Sequence, residues 1–151
     1  MKRVFLLSSI ALLLAPLVLA AQELGYWRAA SNTAKGITGD IALAEEKLTI
    51  NFYTTTMSRI RDMNAAEVSA VFDADSNNGG AGSLYRLNIP AAKTFLHKNN
   101  LCGSENVQWM VTYASGNTLQ LAFFSGAKPP VFTFDAIANS TDKCGTFTYV
   151  R

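Results

Sequence analysis

Apolar and polar residues alternate in short runs along most of this chain, and the runs are separated by turn residues. The clearest are Val107, Trp109, Val111 and Tyr113, then Leu119, Leu121 and Phe123, with Ser115-Gly116-Asn117 between them. Two period-two runs joined by a short Gly-containing turn predict a β-hairpin. A second hairpin is predicted upstream. Ile37, Gly39, Ile41 and Leu43 form one arm, Ala44-Glu45-Glu46-Lys47 the turn, and Leu48, Ile50 and Phe52 the other arm. Further strands are expected over Ser58 to Met63, Ser83 to Ile89, Val131 to Phe134 and Thr146 to Val150.

Helical signals are few. Asn64-Ala65-Ala66-Glu67 has the spacing of a helix cap followed by its box partner, either opening one short helical turn or serving as a tight connection before Val68 to Phe72. Ala91 to Leu96 is a second candidate for a short helix. The expectation is an all-β fold, a small antiparallel β-barrel or sandwich of roughly seven to nine strands with at most short helical turns.

The first twenty residues read differently. Lys2 and Arg3 precede an almost wholly apolar run from Val4 to Leu14, Pro16 breaks it, and small residues follow at Ala20 and Ala21. This is the pattern of a secretory signal, and its apolar run is shorter than the roughly 20 residues a spanning helix needs. Residues 1–20 are therefore expected to be a signal peptide, cleaved before Ala21 or Gln22, with 21–151 a single β domain and no membrane span afterwards. The expected location is periplasmic or secreted.

Removing the signal changes the charge. The chain has 13 basic and 11 acidic residues, and Lys2 and Arg3 leave with the signal, so 11 face 11. A domain near neutrality has no broad field to gather nucleic acid, and no basic run interleaved with aromatics appears. The two cysteines, Cys102 and Cys144, fit one structural disulfide in an oxidising compartment. A reactive thiol pair is the alternative, but it lacks C-x-x-C spacing.

Candidate chemistry is sparse. His97 is the single histidine and lies in a connector beside Lys98-Asn99-Asn100. No nucleophile-elbow motif accompanies it. Asp73-x-Asp75-x-Asn77 resembles the first half of a calcium loop, but Asn78 replaces the turn glycine and Leu84 the bidentate glutamate. No metal or other cofactor is implied. Asp40, Glu67 and Asp135 are the carboxylates that would have to converge for a carboxylate-based hydrolase. The weak binding candidates are Asp73, Asp75 and Asn77 in the polar loop, with Trp109, Tyr113 and Phe124 as aromatic contacts that core packing would equally explain.

Two family resemblances add to this. Gly25-Tyr26-Trp27, followed by successive antiparallel strands, resembles the opening of a calycin-type barrel such as the lipocalins, in which the tryptophan plugs one end. The lipocalin Thr-Asp-Tyr turn motif is missing, so a ligand-carrier role is not carried over. A second resemblance covers much of the C-terminal half: Tyr85-Arg86-Leu87, Asn99-Asn100-Leu101-Cys102-Gly103, Val107-x-Trp109, Phe124-Ser125-Gly126 and Cys144-Gly145-Thr146-Phe147-x-Tyr149. It is similar to a group of small exported proteobacterial proteins of unknown function. That similarity implies an exported bacterial protein and supports the cysteine pairing; it implies no substrate and no active residue.

The expectation for function is a non-catalytic binding domain whose partner is a periplasmic protein or a small apolar ligand. The alternatives are a periplasmic protein inhibitor or immunity protein, and a carboxylate-based hydrolase. An apolar pocket would favour a carrier, a protruding rigid loop without a cavity an inhibitor, and converging buried carboxylates an enzyme.

Overall fold

The computed structural model describes residues 22–75, 77 and 79–151. The expected signal segment, residues 1–20, and Ala21 lie outside the described residues. Eight strands form a closed antiparallel barrel in sequence order. They are β1 (Gly25–Ala29), β2 (Ile41–Ala44), β3 (Lys47–Ile50), β4 (Tyr53–Met63), β5 (Ala81–Ile89), β6 (Val107–Ser115), β7 (Thr118–Phe124) and β8 (Lys143–Val150). Closure comes from β1 pairing with β8, Arg28 opposite Val150 and Ala29 opposite Tyr149. Two helices lie on the connections, α1 (Ala65–Phe72) between β4 and β5 and α2 (Phe134–Ala138) between β7 and β8.

An eight-stranded barrel is just wide enough to be filled by side chains. Here Trp27, Ile41, Leu48, Met110, Phe123 and Tyr149 are among the buried residues that fill it. Trp27 is fully buried, and the Arg151 guanidinium lies over its ring at 4.3 Å. Arg151 also donates to the carbonyls of Leu24 and Gln22, so the last residue holds the first described ones in place.

A second apolar layer lies outside the barrel. Leu84, Trp109, Val111, Tyr113 and Phe124 point outward and are covered by Val68 and Val71 of α1 and by Phe132 before α2. The large residues of β6 thus face the helices, while Met110 and Ala114 face the interior. Strands buried on both faces follow. The close approach of α1 needs Gly82, where a Cβ would stand 2.7 Å from Val68 Cγ2.

Several local expectations are corrected. Ile37 and Gly39 do not belong to β2, because Ala34–Thr38 forms a helical turn and the strand starts at Ile41. Phe52 does not continue the apolar face of β3; it sits in the β3–β4 turn, fully exposed. β4 begins at Tyr53 rather than Ser58 and runs continuously to Met63. Val68 to Phe72 is helical, and both hydrogen bonds of the Asn64–Glu67 capping box are formed, which satisfies backbone donors that a strand would have had to pair. Ala91 to Leu96 forms no helix; a short turn at Leu96–Lys98 follows instead, after Pro90 removes one donor. Phe134 starts α2 rather than ending a strand, with Thr133 Oγ1 accepting from Ala136 N. β8 begins at Lys143, so Cys144 lies within it rather than before it.

Cys102 and Cys144, 42 positions apart in sequence, form a disulfide with Cα atoms 4.9 Å apart. It ties the β5–β6 connection to the start of β8.

Two buried phenols give the barrel an alkaline limit. Burial raises the pKa of both Tyr85 and Tyr149, and the Glu23 charge adds to it at Tyr85. A folded pKa above the unfolded value of about 10 means stability is intact below that pH and declines above it, as unfolding releases protons. Denaturant melts should therefore lose stability as pH rises beyond about 10, and Tyr149→Phe should flatten that decline. A flat profile up to pH 11 would contradict this.

Candidate functional site

Sequence reasoning missed the most concentrated polar group. Glu23 lies two residues before β1 and is buried, at 3 % exposure. Its Oε1 accepts from Ser83 Oγ at 2.9 Å and from Tyr85 OH at 2.8 Å, and its Oε2 accepts from Thr112 Oγ1. Its carbonyl accepts from Trp27 Nε1 at 2.9 Å. Ser83 and Tyr85 share one face of β5, and Ser83 pairs with Thr112 on β6, which is why three hydroxyls converge. A lone glutamate before an aromatic opening carries no sequence signal of this role. Every hydroxyl of the cluster donates to the carboxylate, so its chemistry is that of an internal tie between the N-terminal segment and the sheet.

The predicted site residues land elsewhere. Asp73 is the left-handed cap of α1, and Asp75 Oδ1 accepts from Asn77 N at 3.0 Å across a local turn. Trp109 is buried with its Nε1 donating to the Gly126 carbonyl at 3.1 Å, and Arg86 covers its ring at 4.6 Å. Tyr113 is buried and stacks on Phe72, and Phe124 packs edge-on against Phe132. These aromatics are therefore held in the barrel–helix layer. His97 is exposed in the Leu96–Lys98 turn. The three carboxylates considered for hydrolysis have separate settings. Asp40 accepts from Tyr26 OH and Ala29 N, Glu67 accepts both terminal nitrogens of Arg61, and Asp135 lies in the first turn of α2. Hydrogen bonds from Tyr26 and Ala29 hold the Asp40 carboxyl below the usual range, and Arg61 does the same for Glu67.

Two of the exposed apolar side chains, Phe52 and Tyr26, mark a different region. Connections from odd- to even-numbered strands lie at one end of an antiparallel barrel, and the β3–β4 turn and the β5–β6 connection are both there. Among the described residues, four of the five non-glycine residues with positive φ sit in these two connections, namely Asn51, Phe52, His97 and Lys98. Left-handed backbone is costly for such residues and gathers where function requires it. Phe52 is 100 % exposed and Tyr26 61 %. Together with Asp40, Thr49 and Asn51 they line an open cleft of about 380 Å³. Lys93 lies nearby over the Tyr53 ring at 4.7 Å.

A second surface feature is a groove between the helices, lined by Val71, Phe72, Phe134, Ile137 and Lys143, with a volume of about 430 Å³. Among the described residues, no cluster of three or more His, Cys, Asp or Glu side chains is placed to hold a metal ion, and no helix is long and apolar enough to cross a membrane. Comparison with protein-family models, with curated proteins and with solved structures returns no match, so the site is read from its own geometry.

Proposed function

We propose that this chain is an exported, non-catalytic binding domain that docks a protein partner against the end of the barrel bearing Phe52. The observation that carries the reading is Phe52 itself, a large apolar side chain left wholly in solvent on a two-residue turn with φ of 44° and 66°. Glycine is the usual choice at the second position of such a turn. A strained, exposed aromatic is what a hot-spot anchor looks like before its partner arrives. The side-chain-filled interior argues for an interaction module over a barrel that encloses a ligand. The disulfide fits an oxidising compartment.

Phe52→Gly tests the docking directly. It should raise stability by about 0.5–1 kcal/mol, since glycine accepts positive φ but costs entropy. It should also abolish capture of the partner that wild-type protein retains from an exported-protein extract. Equal capture by both proteins would sink the reading. The export component has its own check. Intact mass of protein recovered from the periplasm should correspond to a start at Ala21 or Gln22, and a mass retaining residues 1–20 would refute it.

A further inference from the structure

The groove between α1 and α2 lies on the outer helical layer and is independent of the Phe52 turn. Its walls are Ala70, Val71 and Phe72 on one side and Phe134, Ile137 and Ala138 on the other, with Lys143 and Thr146 contributed by β8. Its volume of about 430 Å³ falls within the range of small-molecule sites, about 300–1,000 Å³. Phe134 remains 59 % exposed at its edge, an apolar surface without cover.

Lys143 is the basic side chain of this groove. Lys143 is half-buried, and its Nζ donates one hydrogen bond, to the Val71 carbonyl at 3.0 Å. That carbonyl is in the last turn of α1, where the helix leaves acceptors open. An ammonium has three donors, so two remain. The salt bridges among the described residues are Arg59 with Asp62 and Arg61 with Glu67, neither of which involves Lys143. Asp73 also lines the groove but is exposed on the cap of α1. Burial pulls the Lys143 pKa down, and no ion pair among the described residues joins Lys143 to Asp73.

A desolvated ammonium between apolar walls lacks a counter-ion, and a ligand that supplies one while covering the walls satisfies both needs. We propose that this groove binds small apolar carboxylic acids. The chain or ring lies between Phe72 and the Phe134–Ile137 face, and the carboxylate accepts from Lys143 Nζ. One cation suits one negative charge, whereas a phosphate dianion would call for a second. A lysine that only caps α1 would explain the Val71 bond but not a walled apolar groove around it.

The test is an amide-shift titration of the isotope-labelled mature chain with decanoate, with 4-phenylbutyrate as the aromatic counterpart and decanol as the neutral control. Saturable shifts from at least one of the acids are expected in 70–73, 134–138 and 143–146, and the group of the better acid identifies the apolar body preferred. Decanol should bind about tenfold more weakly than decanoate, the worth of one charge-assisted hydrogen bond. Lys143→Met should lose the same factor, and Lys143→Arg should keep most of the affinity. Decanol matching decanoate, shifts confined to other segments, unchanged acid binding in Lys143→Met, or no shift from either acid would each overturn the proposal. Should Lys143→Met fail to fold, the decanoate-to-decanol ratio on the wild-type protein decides.

Discussion

The Cys102→Ala/Cys144→Ala variant is expected to lose about 4 kcal/mol of stability, because the bridge closes a loop whose ends are 42 residues apart. The chain-entropy argument sets this as an upper value, since residual structure in the unfolded chain reduces it. Against a domain stability of about 5–15 kcal/mol the loss is large, and it should lower the melting temperature by roughly 10 °C or more. The packing around the bridge makes the same point. Both cysteines lie against the interior cluster, and the bridge joins the 90–106 connection to a strand that seals the barrel by pairing with β7 and β1. Without it, that connection is held by the buried Phe95 and Leu101 and by local bonds such as Phe95 N to the Asn99 carbonyl and Asn100 Nδ2 to the Gly103 carbonyl. Thermal melts of parent and double variant provide the measurement, and thiol labelling of unfolded, unreduced protein confirms the bridge. Two labels per chain, or coincident melts, would be incompatible with it.

Glu23→Ala is expected to cost about 3 kcal/mol or more. It removes the acceptor of three buried hydroxyls at once, and each one left unsatisfied costs about 1–3 kcal/mol. Water entering the vacated space recovers part of this, so the sum is not additive. Tyr85→Phe should cost less, about 1–3 kcal/mol, because the carboxylate keeps Ser83 and Thr112 as donors. The opposing effect is the cost, which apolar replacements sometimes relieve, of keeping a carboxylate in the barrel with no direct ion pair among the described residues, Arg59 reaching the cluster at Ser83 Oγ. Three converging donors should outweigh it. Chemical denaturation of the three proteins gives the order directly. If Glu23→Ala were as stable as the parent, the cluster would not be the tie that fixes the N-terminal segment beneath Trp27.

Phe52 and Glu23 show why function was harder to read than fold. Both are single residues whose role depends on where the backbone puts them. Phe52 continues a period-two apolar pattern after Leu48 and Ile50, and pattern alone assigns it to the buried face. The two-residue turn at Asn51-Phe52 takes it out of the strand and into solvent. Glu23 looks like an ordinary polar residue ahead of the first strand, and only barrel closure places three hydroxyls around it. Lys143 is similar. It becomes a half-buried amine because two helices separated by more than sixty positions pack on either side of it.

The amino-acid sequence by itself determined the strand periodicity, the hairpins at Glu45-Glu46 and Gly116-Asn117, the capping box at Asn64, and hence an all-β fold, because these depend on residues a few positions apart. It also held the partnership of Cys102 and Cys144, since two cysteines have one possible intramolecular pairing. The choice of closed barrel over sandwich was decided by the pairing of β1 with β8, across more than a hundred residues. Tertiary structure also decided which face of β6 meets which core. Alternation shows that Trp109, Val111 and Tyr113 share a face, but not that this face meets helices while Met110 and Ala114 meet the barrel interior. The physical reason is range: a local pattern specifies that a side chain must be buried, and only the closed sheet and the helices laid on it specify against what.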